Sequence, residues 1–316
     1  MMKTVKTLKA KLGVALIGLL ISFGVPASAA EKVDTLRIGL LPTEDAGEMI
    51  KQFNPVEQHL GKELGVKTKV TITQSYNALI EAMRANHLDV VYVGGGQYVK
   101  ARELGMDVVP IVARVTPAFP GDTKGRTYYK SVIITRSDSG IKSLKDLKGK
   151  TFSFVSPTST SGGIGPRFFL GKNGINPEKD FKKIFWAGTH EASFLAVING
   201  KVDAGAMADH YFYHYRDRKM LKFSEYLETE NVITNSEIHI LGAQKVPGIP
   251  MVVRGALGKE FIKKLQDAFL SLKFKGQLEH MMFMGTTLRF DPSSHKDYED
   301  VVVMKKMAAK LKKKKK

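Results

Sequence analysis

The chain has 316 residues, 43% of them hydrophobic, a formal net charge of +18 and no cysteine. The lack of thiols excludes disulfides, thiolate metal sites, cysteine nucleophiles and a lipid-anchored cysteine. The charge would suggest nucleic acid were it not concentrated at the termini, with four lysines in the first eleven residues and eight in the last twelve. What remains is a moderately basic body, suited to an anionic ligand.

Lys3, Lys6, Lys9 and Lys11 precede an uncharged, mostly apolar run at 12–25, then Pro26 and Ala27-Ser28-Ala29. This is the pattern of an export signal with a small-x-small cleavage site, and the run is short for a membrane span. Residues 1–29 are therefore expected to be removed, leaving a soluble, periplasmic chain that starts near Ala30.

From there strands and helices alternate. Residues 36–40 read as a strand ending before Pro42. Asn54-Pro55 reads as a helix start, with Val56, Leu60 and Leu64 on one face and Gly65 as the stop. A strand follows at 69–73, then a helix capped by Ser75 that carries Leu79, Ile80 and Met83. A buried strand at 89–93 leads into Gly94-Gly95-Gly96, a helix at 97–104 and a strand at 108–112. Residues 116–127 are rich in Pro, Gly and Thr and read as a loop or crossing.

A second series begins at Lys130. It has strands at 132–134, 151–155, 184–186 and 202–206. Helices start at Ser143, Ser159, His190 and Asp209. The chain turns again at Pro247-Gly248-Ile249-Pro250. Phe261, Leu265, Phe269 and Leu272 then form one face of a late helix. Residues 305–316 read as a solvated, disordered lysine tail with no nucleic-acid role.

The pattern predicts an α/β protein of two lobes, the second inserted in the first, each built on a mainly parallel sheet. Residues 30–130 with 246–304 form lobe 1, and 131–245 form lobe 2. Ligands bind such sheets at the carboxyl ends of strands. That places a cleft among the turns at 42–47, 74–77, 94–98, 156–162, 187–191 and 207–210.

One of these turns carries the most chemistry. Ser156-Pro157-Thr158-Ser159-Thr160-Ser161-Gly162-Gly163 follows a strand and opens a helix. Unpaired helix N–H groups, the positive end of the dipole and successive hydroxyls make an oxyanion cradle. An ordinary Ser/Thr helix cap explains the same residues equally well. His210 and His214, at i and i+4, have the spacing of a metal pair but lack a second pair. They read as part of a packed aromatic helix with Tyr211, Tyr213 and Tyr215.

The segment from Ser156-Pro157 through Ser159-Thr160-Ser161-Gly162 resembles the signature of the phosphate/phosphite/phosphonate-binding proteins of ABC importers, which are type II periplasmic solute-binding proteins. Leu36-Arg37-Ile38-Gly39, the run from Tyr76 to Met83, the run from Ser139 to Lys150, Gly188-Thr189-His190-Glu191-Ala192 and Pro247 with Pro250 resemble the family in the same order. The resemblance implies a type II fold with the ligand in the interlobe cleft, and a phosphorus oxyanion held by Ser159, Thr160 and Ser161. It further implies donors from Tyr76, His190 and Tyr129, with Tyr128 as the competing register. His190 also reads as a core or capping histidine. Asp209 would face the cleft, accepting a P–OH proton, pairing with a ligand amine or capping its helix.

The family commonly has a Gly-Pro turn where this chain has Gly94-Gly95-Gly96-Gln97-Tyr98, so the wall near Tyr98 is altered. With Asp209 the one clear acid, the ligand leans towards phosphate, phosphite or a small alkylphosphonate. Nitrate, a sulfonate or a pyrimidine precursor are the alternatives within the fold. An exported phosphoesterase would need a two-metal cluster or a Gly-x-Ser-x-Gly elbow. The expectation is a monomeric binding protein without catalysis, metal or cofactor, partnered by a membrane permease.

Overall fold

The structure, a computed structural model, describes residues 31–43, 45–119, 121–227, 232–278 and 287–313. The export-signal reading falls on residues outside that range.

The chain opens with β1 (Thr35–Leu40), α1 (Ala46–Leu64), β2 (Lys67–Ile72), α2 (Tyr76–Arg84), β3 (Val90–Tyr92), α3 (Gly95–Glu103) and β4 (Val108–Val115). The start of α1 differs from expectation. The helix begins at Ala46, where the Asp45 carboxylate accepts the Glu48 amide at 2.9 Å. Pro55 lies inside it. A proline there forfeits a backbone bond, but Met49, Phe53, Val56 and Leu60 bury one continuous face that holds the helix together.

The chain then crosses to β5 (Tyr128–Arg136), β6 (Thr151–Phe154), α4 (Gly165–Lys172), α5 (Pro177–Asp180), β7 (Lys183–Trp186), α6 (His190–Ile198), β8 (Ala204–Ala208) and α7 (Tyr211–Asp217). A small ribbon of β9 (Glu225–Leu227) and β10 (Val232–Thr234) precedes β11 (Ile238–Pro247). The return follows through β12 (Pro250–Arg254), α8 (Lys259–Leu270), β13 (Arg289–Pro292) and α9 (Glu299–Lys313).

One sheet has the order β13-β4-β12-β3-β1-β2, the other β11-β5-β8-β6-β7. This is the two-lobed type II arrangement, with the second sheet inserted between β4 and β12 of the first. The sheets are mixed rather than mainly parallel. β1 runs parallel to β2 and β3, and β6 parallel to β7 and β8. Strands next to the crossings run the other way: β12 is antiparallel to β3 and β4, and β5 to β8 and β11. The βαβ units dictate parallel neighbours, whereas a strand that arrives straight from the other lobe enters from the opposite end.

Asp89, just before β3, ties the first sheet together. It accepts Nε of Arg37 at 2.7 Å and Nη2 of Arg254 at 2.6 Å, and Arg254 also pairs with Glu31 at 2.7 Å. The expected disordered tail is instead helical as far as Lys313. Ala308 is buried, the Leu311 side chain lies over Gly171 of α4, and the Leu311 carbonyl accepts Nδ2 of Asn176 at 3.1 Å. Lys305 pairs with Glu103 of α3. Apolar residues spaced among the lysines let α9 bury one stripe against both lobes while Lys306 and Lys310 stay exposed.

Candidate functional site

The carboxyl ends of the parallel strands point into the space between the sheets, and helices start there. Tyr76 is the first residue of α2, Gly94 caps α3, and Ser159 caps the wide turn at Thr160–Ile164 that leads into α4. His190 is first in α6, and His210 caps α7 ahead of Tyr211. All six residues line one cavity, together with Leu41, Thr43, Gln97, Tyr129, Thr160, Ser161 and Ile249. The cavity has room for water-sized spheres over about 20 Å³, close to the ~10–15 Å³ that holds a single water on that measure. It is sized for a compact ion.

None of the described lining residues carries a formal charge at neutral pH. Neutral donors and the positive ends of helices converge on one point, an arrangement that can attract an anion. Ser159, Thr160 and Ser161 are all buried. The Ser159 hydroxyl accepts the Gly162 amide at 3.1 Å, so it caps the turn as well as facing the cavity. The turn is packed backbone to backbone. A Cβ on Gly163 would stand 2.0 Å from the Ser156 carbonyl oxygen, and one on Gly162 would meet Val155 at 2.3 Å.

Two tyrosines close on this turn. The Tyr76 phenol interacts with Ser159, and the Tyr129 phenol with Ser161 and Thr160. Burial pushes Tyr129 up to about 12 and Tyr76 well above the ordinary range, so both stay protonated donors. His190 is buried too, and burial lowers its pKa to about 3. Its Nδ1 faces the Ala208 amide, which donates at 3.3 Å. That fixes a neutral ring with its proton on Nε2.

The lobes meet beside the cradle. The Gly96 amide donates to the Thr160 hydroxyl at 2.8 Å. A Cβ on Gly96 would be 2.2 Å from the Thr158 carbonyl oxygen, and one on Gly94 would be 2.7 Å from Oγ1 of Thr160. The glycine run is what lets α3 approach the turn this closely.

The family model for the ABC transporter, phosphonate, periplasmic substrate-binding protein matches residues 38–298. The chain belongs to this family. Among curated relatives, the phosphonates-binding periplasmic protein of Escherichia coli is 31% identical over 251 residues, which is 78% of this chain and 68% of that protein. The probable ABC transporter phosphite-binding protein PhnD1 of Prochlorococcus marinus is 28% identical over 293 residues, 88% of this chain and 91% of the relative. The solved structure of that PhnD1 in complex with methylphosphonate superposes with a TM-score of 0.70 at 25% identity, over 89% of this chain and 99% of the other. A binding-protein component of an ABC phosphonate transporter from Pseudomonas aeruginosa shares the fold, with a TM-score of 0.67 at 21% identity over 89% and 97% of the two chains. These relatives are substrate-binding transport proteins.

Of the site residues expected in this phosphonate-family protein, Tyr76, Tyr129, Ser159, Thr160, Ser161 and His190 come together around the cavity. Tyr128 faces away, its ring under Arg126 and Lys245. Tyr98 does not line the cavity. Its hydroxyl meets Nδ1 of His295, and its ring lies 5.0 Å from Tyr298. α3 starts at Gly95, so Gly94 and Gln97 share the inward face and Tyr98 is turned about 100° away from Gln97. Gln97 takes the place expected of Tyr98.

Asp209 also lies behind the wall. Its carboxylate accepts Nη2 of Arg126 at 2.6 Å and the Lys130 amide at 3.0 Å, and it faces a second chamber of about 40 Å³. Burial raises its pKa, against the pull of Arg126. It neither reaches the cavity nor caps α7 with its side chain. The next residue, His210, is the one that turns inward, and its position just after β8 was the available signal.

Proposed function

We propose that the protein captures a phosphorus oxyanion (phosphate, phosphite or a small phosphonate) between its lobes and delivers it to the membrane permease of an ABC importer. The observation that carries this reading is the convergence of helix starts on a small cavity with an uncharged lining. Such a site attracts an anion through dipoles and O–H and N–H donors, without a lysine or arginine that would hold it too generally. The relatives' names, and methylphosphonate in the PhnD1 complex, point to phosphorus at the centre of that anion.

Ser159, Thr160 and Ser161 take the oxygens through hydroxyl and backbone donors. Tyr76 donates from the first lobe, Tyr129 from the crossing strand and His190 through Nε2–H. Residues 30–130 with 246–304 move as one lobe and 131–245 as the other, with the crossings at 116–128 and 247–250 as hinge. The protein works as a periplasmic monomer after cleavage near Ala30, and as a binding module without catalysis.

Calorimetric titration of the mature chain with phosphate, phosphite, methylphosphonate and sulfate tests this. Micromolar or tighter binding of at least one phosphorus oxyanion, with sulfate much weaker, is the expected result. Binding of sulfate alone overturns the assignment.

A further inference from the structure

Two buried polar side chains of the cavity wall leave ring or amide atoms without a hydrogen-bond partner: Oε1 of Gln97, and both nitrogens of His210. An imidazole so buried ordinarily finds a partner within the protein. The His210 ring is held in place all the same. It lies edge-on to Tyr129 at 5.2 Å and tilted against Tyr211 at 4.6 Å, contacts that fix its orientation and leave its nitrogens open. It lines the ligand cavity on one side and the second chamber on the other.

The charges near this wall are mostly positive. Arg114 is among the largest fully buried side chains of the protein. Its backbone amide donates to the carbonyl of Ile249, a lining residue, at 3.0 Å. Its guanidinium meets the Tyr92 phenol and forms no ion pair among the described residues, so its charge is not offset by a carboxylate. Arg126 stands across the second chamber. Asp209, the carboxylate beside His210, is already engaged by Arg126 and the Lys130 amide. Burial and the fields of Arg114 and Arg126 keep the His210 ring neutral. Leu41 and Ile249 add apolar surface to the lining.

A ligand ammonium turned towards this wall would feel the positive field of Arg114 behind it and find no carboxylate free to receive it, since Asp209 is held by Arg126. A P–O, P–H or P–CH₃ corner would meet an imidazole and aliphatic carbon, and the positive field behind would favour its negative charge. We propose that His210, backed by Arg114, restricts the cavity to phosphorus oxyanions that carry no ammonium group. This rests on the phosphorus-oxyanion reading above.

The test is calorimetry of the mature chain with phosphite, methylphosphonate and 2-aminoethylphosphonate, repeated on His210→Asp. The wild type should prefer phosphite or methylphosphonate over 2-aminoethylphosphonate by about 100-fold or more, since specificity is a difference of affinities set by such opposing charges. His210→Asp should cut that preference by about tenfold or more, by offering the ammonium a carboxylate and repelling the dianion. Wild-type binding of 2-aminoethylphosphonate as tight as methylphosphonate overturns the proposal while leaving the phosphorus reading intact. So does a folded His210→Asp with unchanged preference. Failure of these three ligands and of phosphate to bind overturns the phosphorus reading itself, and this proposal with it. If the variant does not fold, as a thermal melt would show, the wild-type comparison decides alone.

Discussion

The Gly96 amide donates to the Thr160 hydroxyl at 2.8 Å, and this bond joins the start of a first-lobe helix to the Ser159–Ile164 turn of the second lobe. A side chain on Gly96 would collide with the Thr158 carbonyl. Gly96→Ala should therefore fold but close incompletely. Overpacking costs of about 1–3 kcal/mol correspond to roughly a 5- to 150-fold loss of affinity. Calorimetry reads the loss, and small-angle scattering with saturating ligand should show a more open particle than the wild type.

Removing one phenol from the cradle tests its donors. Tyr76→Phe and Tyr129→Phe each delete an O–H that would meet the bound anion. A hydrogen bond to a charged group is worth about 1.5–3 kcal/mol, or roughly 10- to 150-fold in the dissociation constant. Both variants should keep the unliganded melting temperature within a few degrees of wild type. Unchanged affinity in both would remove the tyrosines from the site.

The buried histidine makes a pH prediction. The His190 pKa falls from its ordinary value of 6.5 to about 3 in the folded protein. Between these values the unfolded chain binds a proton that the folded one does not. Stability should rise with pH across that window, by up to about 1.4 kcal/mol per pH unit from this group, and should level off above it. Urea unfolding at several values between pH 4 and pH 8 measures the slope. His190→Asn should reduce it, the remainder coming from His210, whose pKa burial also lowers. An identical slope in the variant would show that the ring is solvated in the native state.

Asp209 separates a structural role from a ligand-binding one. The Arg126–Asp209 pair is almost wholly shielded from water. Breaking such a pair by removing one partner typically costs about 3–5 kcal/mol. Asp209→Asn should lower the melting temperature clearly, and ligand affinity only in proportion to any lost order. A stable variant with much weaker binding would return Asp209 to the ligand's surroundings.

Deleting residues 305–316 removes buried Ala308, and Leu311 from its place over Gly171. The loss of this apolar contact should cost about 1–3 kcal/mol, read as a lower urea midpoint. A disordered tail would cost nothing.

Much of the fold was legible because βαβ units announce themselves through short apolar runs, caps and glycine stops. That the Ser159–Ser161 turn, Tyr76 and His190 would share one cavity was legible for the same reason: each sits at a strand-to-helix junction, and a parallel sheet points those junctions to one side. What escaped depended on distance or phase. The partner that draws Asp209 out of the cleft, Arg126, lies 83 positions earlier in the chain. Tyr98, expected in the wall, is instead buried against His295 and Tyr298, long-range partners near the other end of the chain, and Gln97 faces the cavity. His210 was obscured by its neighbours Tyr211, Tyr213 and Tyr215, which made it read as part of a packed aromatic helix rather than as a cavity wall. The α9 helix was hidden by composition, since lysine density outweighed the apolar residues that dock it.

The glycine run at 94–96 has a consequence for selectivity. Where side chains meet, a mismatch of a few tenths of an ångström is absorbed by rotation about a bond. Where a glycine rests on a carbonyl there is nothing to rotate, and the stop is rigid. The two jaws thus behave as a caliper whose fully shut gap is set by peptide planes. An anion too bulky for that gap holds the jaws apart and forfeits the Gly96–Thr160 bond. One too slender leaves donors unmet. Size is measured by the main chain, and the side chains are left to judge charge.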